Sequence, residues 1–228
     1  MDRGATVEDL LGSLDSLEDE EERRAWAGAC AHALGVDGVA VSLGEELVWF
    51  SDRTSARLED VQFVIGQGPS LFLLAESGVL EVPDLDRLLV GQWPQFVPEA
   101  KELGVAALFV WPVNIGAAQV GTLTGYRRTA GPLAGRHVAE GWLVADSLAG
   151  HLLGRWPGMS AGEEGDGPGS VGAVDLHRAE VHQATGVLSV RLDVPVAEAL
   201  ARLRARAFAS GRSLTDTARF ILDKEVPP

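Results

Sequence analysis

The sequence predicts an α+β protein in which an N-terminal antiparallel sheet with flanking helices precedes a C-terminal bundle of three helices. Over residues 1–156, short β-branched segments alternate with helical patterns, whereas residues 173–228 contain helical patterns alone. Between them, residues 157–172 are rich in Gly, Pro, Ser and acidic residues and hold almost no bulky apolar side chain. Such a segment cannot bury an apolar face, so we predict a flexible linker between two domains.

Two helices are predicted at the start of the chain. Four apolar residues at helical spacing indicate the first: Val7, Leu10, Leu14 and Leu17. We expect the second to begin at an N-cap, Ser16, with Asp19 three residues on, and to end at Gly35. The acidic residues 18–22 then lie at the positive end of this helix, which is an ordinary arrangement at a solvated helix start.

Strands and short helices are predicted to follow in alternation. The extended segments are residues 38–43, 47–50, 79–85, 105–115 and 119–126. Gly44-Glu45 and residues 116–118 are expected to form hairpin turns. Helical patterns cover residues 56–65 and a segment that runs from Trp93-Pro94 to Gly104.

A long helix is predicted over residues 133–156. Its apolar residues recur at steps of four and three, the spacing of a coiled-coil seam: Val138, Trp142, Ala145, Ala149 and Leu152. Over so short a span we interpret these residues as a stripe that faces its own domain. A seam between two chains is the alternative, and we also expect a homodimer.

Three helices are predicted in the C-terminal domain. The first covers residues 175–192, and the second begins after Asp193-Val194-Pro195 and stops at Gly211. The third begins at the N-cap Ser213, with Asp216 three residues on. The residues expected to face inward are Val181, Ala184, Leu188, Val196, Leu200, Leu203, Ala207, Leu214, Ala218 and Ile221.

Charge is distributed unevenly along the chain, whose formal net charge is −14. Residues 171–228 hold eight basic against seven acidic residues, a net charge of +1, which leaves −15 on residues 1–170. Five arginines lie close together in the second and third C-terminal helices: Arg202, Arg204, Arg206, Arg212 and Arg219. The C-terminal domain is therefore the part that could attract a polyanion. The alternative is a solvated face with local ion pairs, such as Arg219 with Asp223.

Motifs of known enzyme classes are absent, so we expect a protein that is not an enzyme. There is no phosphate-binding loop, no His-Glu-x-x-His and no Gly-x-Ser-x-Gly. The single cysteine, Cys30, excludes an intramolecular disulfide and is predicted to be a buried, inert thiol. No signal peptide is visible, and we expect a cytoplasmic protein that binds no metal and no membrane.

One glycine in the first C-terminal helix calls for an explanation. Gly186 lies in mid-helix, where glycine costs about 1 kcal/mol relative to alanine. Close packing of another helix is one explanation. Close approach of an RNA or of a partner's backbone is the other.

The C-terminal domain resembles the ANTAR family on three segments of sequence. These are His182-Gln183-Ala184-Thr185-Gly186-Val187-Leu188, then Ala197-Glu198-Ala199-Leu200-x-x-Leu203-Arg204-x-x-Ala207, then Leu214-x-Asp216-x-Ala218-x-x-Ile221. ANTAR domains are three-helix modules of bacterial transcription antiterminators, which bind paired stem-loops in mRNA leaders. Many members carry Lys where this chain has Thr185. The resemblance implies RNA binding, with the five arginines on phosphates and with Gln183 and Gly186 as further contacts.

Residues 17–156 resemble a GAF domain, an antiparallel-sheet sensor module. The matching segments are Gln62-x-x-Ile65-Gly66-Gln67-Gly68-Pro69-Ser70, Val82-Pro83-Asp84-Leu85, Trp93-Pro94-x-Phe96, and Pro112-Val113 followed by Gly121-Thr122-Leu123. Relatives often have Cys where Ser70 stands. Five aromatic residues are candidates to line a pocket for a small-molecule ligand, although core aromatics give the same pattern: Trp49, Phe63, Trp93, Phe96 and Trp111.

Together the two resemblances predict a cytoplasmic regulator in which a GAF-like sensor controls an RNA-binding, antiterminating domain. One rival is a DNA-binding regulator, because three short basic helices also fit a helix-turn-helix. The other is a GAF-type enzyme such as a sulfoxide reductase, whose chemistry requires reactive cysteines.

Overall fold

The computed structural model describes residues 6–44, 46–73, 78–155 and 178–225. The chain divides into two compact units, one within residues 1–175 and the other within residues 176–228. The predicted linker, residues 157–172, lies outside the described residues.

A five-stranded antiparallel sheet organises the N-terminal unit, with strand order β2-β1-β5-β4-β3. The strands are β1 (Gly38–Leu43), β2 (Glu46–Phe50), β3 (Leu80–Val82), β4 (Ala107–Ile115) and β5 (Ala118–Arg127). Two hairpins, β1–β2 and β4–β5, are joined through pairing of β1 with β5. This architecture confirms the predicted α+β class.

Helices cover both faces of the sheet. In the N-terminal unit they are α1 (Val7–Ser13), α2 (Glu20–Ala33), α3 (Arg53–Ile65), α4 (Pro69–Leu73), α5 (Phe96–Glu102) and α6 (Gly135–Arg155). Buried residues of α1, α2 and α6 pack with alternate strand residues such as Val41, Phe109 and Leu123 in one core. Residues of α3 and α5 pack with Leu108 and Tyr126 in a second core on the opposite face. Alternation of side chains along each strand separates the two cores.

Several predicted boundaries are wrong by a few residues. Asp19, not Ser16, is the N-cap of α2, and its carboxylate accepts the backbone N–H of Glu22 at 2.8 Å. Ser16 ends a short 3₁₀ turn instead. Helix α3 begins three residues earlier than predicted, because the Asp52 side chain caps it through the N–H groups of Thr54 and Ser55.

Helix α6 turns most of its apolar stripe toward its own unit. Ala145, Ala149 and Leu152 are buried in the core, while Trp142 is partly exposed. The Trp111 indole N–H donates to the Val138 carbonyl at 3.0 Å and brings α6 close to β4. The domain-facing interpretation of the stripe therefore holds, and the stripe does not form a free seam.

The C-terminal unit is a bundle of α7 (Ala179–Leu192), α8 (Val196–Ser210) and α9 (Leu214–Glu225). All but one of the residues predicted to face inward are buried. The exception is Val196, which is 62% exposed because it starts α8 just after the turn. Gly211 ends α8 in the left-handed conformation, and Ser213 caps α9 by accepting the Asp216 N–H at 3.0 Å, as predicted.

Candidate functional site

The five arginines of the predicted RNA-binding set lie on or near the surface of the bundle. Four of the side chains are exposed, and Arg204 is half-buried. Arg202 forms an ion pair with Glu198 one turn before it on α8. Arg219 on α9 reaches Glu180 on α7 with an N–O distance of 2.9 Å, and this hydrogen bond raises the pKa of the Arg219 guanidinium. The pairing of Arg219 with Asp223 that the sequence suggested is replaced by this contact between helices.

The outer face of α7 is uncharged and open. Gln183, Gly186 and Val190 follow each other at steps of three and four and are all exposed. A Cβ built at Gly186 would meet no atom within 4 Å, so no helix of the bundle packs against this glycine. Thr185 points the other way, since it is buried and its hydroxyl donates to the Val181 carbonyl at 2.7 Å.

The five aromatic residues predicted to line a pocket lie on both sides of the sheet. Trp49 and Trp111 belong to the core under α2 and α6, where Trp49 stacks edge-on against Trp26 with ring centroids 5.5 Å apart. Phe96 is fully buried in the other core, and Trp93 packs against it at 6.2 Å. Phe63 is buried on α3. The structure therefore does not bring these five side chains around one cavity.

A buried cluster of polar side chains, not anticipated as a site, joins α3 and α4 to the sheet. It consists of Ser42 on β1, Glu59 and Gln62 on α3, Ser70 on α4 and Thr124 on β5, all of them buried. Gln62 and Ser70 already stood in the segment that resembles a GAF domain. Glu59 gave no comparable signal, because a carboxylate three residues before Gln62 fits any exposed helix face.

Glu59 is at the centre of this buried cluster. One carboxylate oxygen accepts the Ser42 hydroxyl at 3.0 Å, and the other accepts the Gln62 amide at 2.8 Å and the Ser70 hydroxyl at 3.0 Å. The Gln62 carbonyl in turn accepts the Ser70 backbone N–H at 2.9 Å, and the Ser70 and Thr124 hydroxyl oxygens lie 2.8 Å apart. The cluster fixes the start of α4 on the sheet and satisfies the buried carboxylate.

Gly68 permits the turn that the cluster needs. Its backbone has φ of +138°, and a Cβ there would overlap the Gln62 side chain. Glycine is the residue that adopts such a conformation without strain. The segment from Gly66 to Pro69, which ends α3, is therefore also the connection that carries Ser70 to Glu59.

The thiol of Cys30 is buried in the core under α2. Burial raises the pKa of Cys30 to about 12, so the thiolate is scarcely populated near neutral pH. This thiol is therefore unsuited to nucleophilic or redox chemistry, as the sequence predicted.

The described residues contain neither a metal site nor a membrane span. Within these ranges no three His, Cys, Asp or Glu side chains converge as a metal site would require. None of the helices in this part of the chain is both long enough and apolar enough to cross a bilayer.

Several solved structures have the same fold as the N-terminal unit. One is the GAF domain of a phosphoenolpyruvate-protein phosphotransferase from Coxiella burnetii, at 13% identity and a TM-score of 0.50 over 64% of this chain and 89% of that one. Another is the GAF domain of the Acinetobacter phosphoenolpyruvate-protein phosphotransferase, at 8% identity and a TM-score of 0.50 over 70% and 95%. The N-terminal unit has the GAF fold.

A free methionine-R-sulfoxide reductase from Thermoplasma acidophilum is also similar to the GAF-fold unit, with a TM-score of 0.45, 14% identity and coverage of 63% of this chain and 95% of that one. No protein-family model matches the chain, and no curated protein sequence matches it.

Proposed function

We propose that this protein is a cytoplasmic, signal-responsive regulator whose C-terminal bundle binds stem-loops in mRNA leaders and causes transcription antitermination. In this proposal the GAF-fold unit is the sensor that controls binding. The observation that carries the proposal is the open glycine Gly186 on the uncharged outer face of α7, in a bundle that also presents arginines.

Glycine at position 186 destabilises α7, and no contact within the bundle explains why a glycine is present there. In mid-helix it lowers stability by about 1 kcal/mol relative to alanine, and its backbone φ is ordinary. No neighbour in the bundle is so close that a Cβ could not be accommodated at this position. A partner that approaches the α7 backbone closely from outside would require that position 186 has no side chain. Gln183, one turn earlier, would supply an amide to read base edges.

The charge distribution favours a polyanion as that partner. The C-terminal residues 171–228 carry a net charge of +1, while residues 1–170 carry −15. Arg202, Arg206 and Arg212 are exposed on α8 and the turn that follows. Arginines of this kind hold phosphates, while the loop bases of an RNA are read by hydrogen bonds and stacking.

The GAF fold supports a sensing role for the N-terminal unit, and a small molecule is the ligand that we propose for it. Phe96 and Trp93 lie near α3 on the same face of the sheet as the buried polar cluster, and this is the side on which we expect the ligand to bind. We also propose a homodimer. Trp142 and Leu143, which are large exposed apolar residues of α6, are candidates for its contact.

The test of the proposed function uses the full chain and a pool of RNA hairpins that share one stem and carry randomised loops. In the Gly186→Ala variant, we expect unfolding of the bundle to require about 1 kcal/mol more, because nothing crowds the new methyl group. We expect the same variant to bind hairpins several-fold more weakly. Gly150→Ala on α6 is the control, since its Cβ also meets no atom within 4 Å but lies outside the bundle.

Two results would contradict the proposal. If the wild-type chain binds duplex DNA more tightly than any hairpin in direct competition, the bundle is a DNA-binding domain. If Gly186→Ala stabilises the bundle and leaves hairpin affinity unchanged, nothing approaches this glycine.

A further inference from the structure

A large aromatic side chain is exposed on α8. Phe208 lies in the last turn of this helix and is 84% exposed. The residues one turn before Phe208 on the helix surface are Ala205 and Arg204. The small side chain of Ala205 leaves the ring accessible, whereas a large neighbour would cover part of it.

The turn after α8 brings the backbone of Arg212 close to the last turn of this helix. Gly211 has φ of +63°, and its N–H donates to the Phe208 carbonyl at 3.1 Å. The Arg212 N–H then donates to the Ala207 carbonyl at 3.1 Å, so the chain folds back against the last turn of α8. The Arg212 guanidinium lies over the Phe220 ring, 5.0 Å from its centre.

The surroundings of Phe208 are basic. No acidic residue occurs between Glu198 and Asp216, a segment that contains four arginines. An apolar docking surface for a protein would need a wider group of large apolar side chains, whereas the exposed residues near Phe208 in the chain include Ala205, Ala209, Ser210 and Arg212. A single flat ring among small and cationic side chains is what a nucleobase with its phosphate would fit.

We propose that Phe208 is a stacking platform for one unpaired base of the bound RNA, with Arg212 holding the phosphate beside it. This inference rests on the proposed function and adds a contact to it on a different helix. Stacking of a base on an aromatic ring is tolerant of base identity, so Phe208 would contribute affinity rather than sequence discrimination.

The experiment titrates the full chain with the same hairpin pool and compares three variants at this position. Phe208→Ala is expected to lower affinity about five- to hundred-fold, with an unchanged salt dependence because no charge is lost. Phe208→Trp is expected to retain affinity, and Phe208→Leu to lose it although it is apolar. Val196→Ala, at the other end of α8, is the exposed apolar control and is expected to bind normally.

Fluorescence provides a second readout for the same contact. With 2-aminopurine placed at successive loop positions, one position is expected to change emission on binding to the wild type and to Phe208→Trp, but not to Phe208→Ala. Thermal unfolding of each variant shows whether the bundle remains folded.

The outcomes separate the two proposals. If the wild type binds hairpins and Phe208→Ala binds equally well, the stacking proposal is wrong and the RNA-binding function stands. If Phe208→Leu binds like the wild type, the contact is apolar and not a stack, which also overturns it. If the wild type binds no hairpin, the proposed function fails and the stacking platform fails with it.

Discussion

The candidate site residues of the two units differ in their exposure to solvent. In the GAF-fold unit, Glu59 is buried and receives hydrogen bonds from three side chains. In the bundle, Arg206 and Gln183 point into solvent. Three polar side chains of the bundle are buried among its apolar core residues: Arg178, Thr185 and Thr217. A polar group that is enclosed and satisfied contributes to structure, whereas one that is exposed on a basic surface is available to a partner.

The same difference applies to glycine. On α6, Gly141 is required by its own unit, because a Cβ there would overlap the Trp111 indole. On α7, Gly186 is required by nothing in its unit. A glycine required by internal packing can therefore be distinguished from one that is a candidate for contact with a partner.

Alkylation of Cys30 should show the largest effect. With its pKa raised to about 12 from an ordinary value of 9.0, the thiolate fraction near pH 8 falls about a thousand-fold. Because a thiol with a raised pKa ionises only at higher pH, the rate of reaction with iodoacetamide should keep rising well above pH 9. The measurement is mass spectrometry of the native and the denatured chain. Rapid labelling of the native chain at pH 8 would show that the core opens.

Removing the buried carboxylate should destabilise the GAF-fold unit strongly. Glu59→Ala leaves Ser42, Gln62 and Ser70 without their acceptor, and we expect a loss of about 3 kcal/mol in the free energy of unfolding. Chemical denaturation of the full chain measures it. The exposed Glu99→Ala is the matched control and should change little. An equally small effect of Glu59→Ala would mean that the cluster does not stabilise the fold.

Two alanine substitutions on α6 should have opposite effects on stability. Gly141→Ala should cost about 2 kcal/mol, because the new methyl group pushes against the Trp111 ring. Gly150→Ala, two and a half turns later on α6, should instead add up to about 1 kcal/mol, because its position is open. Denaturation midpoints of the two variants give both values. Equal midpoints would show that α6 can shift away from β4.

Substitution of Gln183 tests whether the outer face of α7 reads bases. Gln183→Ala should change the ranking of hairpin loops by a few-fold in affinity while the dependence on salt stays the same, because an amide displaces no counterion. Competition between pairs of hairpins that differ at one loop position provides the measurement. A uniform loss across all loops would assign Gln183 to backbone contact.

Neutralising single arginines should give the smallest change. Arg206→Ala and Arg202→Ala should each lower the slope of log affinity against log salt by about one unit or somewhat less, equally for all hairpins. Arg57→Ala, exposed on α3 of the GAF-fold unit, is the charge-matched control. Unchanged slopes in both bundle variants would leave Arg204, Arg212 and Arg219 as the phosphate contacts.

Local features of the fold could be read from the sequence, while contacts between distant residues could not. Strand β1 was predicted at its observed bounds, and the ends of α7 and α8 followed from their turn residues. The start of α2 was misplaced because Ser16 and Asp19 both satisfy the rule for an N-cap.

The site residues divide in the same way. Exposure of the arginines followed from helical spacing within one segment. The face of the sheet on which Trp111 lies could not be predicted, because β4 is apolar at nearly every position and its sequence does not alternate between polar and apolar residues. The buried cluster joins residues from 42 to 124, which no pattern within one segment could bring together.

The absence of a side chain at Gly141 leaves a notch on the surface of α6, and this notch limits how the helix can move. The Trp111 ring fills this notch, and the indole N–H donates to the Val138 carbonyl of the helix backbone. Rotation of α6 about its own axis would therefore bring the larger side chains of Glu140 or Trp142 against the indole. A tilt of α6 about the Trp111 ring would keep both contacts. A change in the GAF-fold sheet would therefore reach the far end of α6 as a swing of the helix and not as a twist.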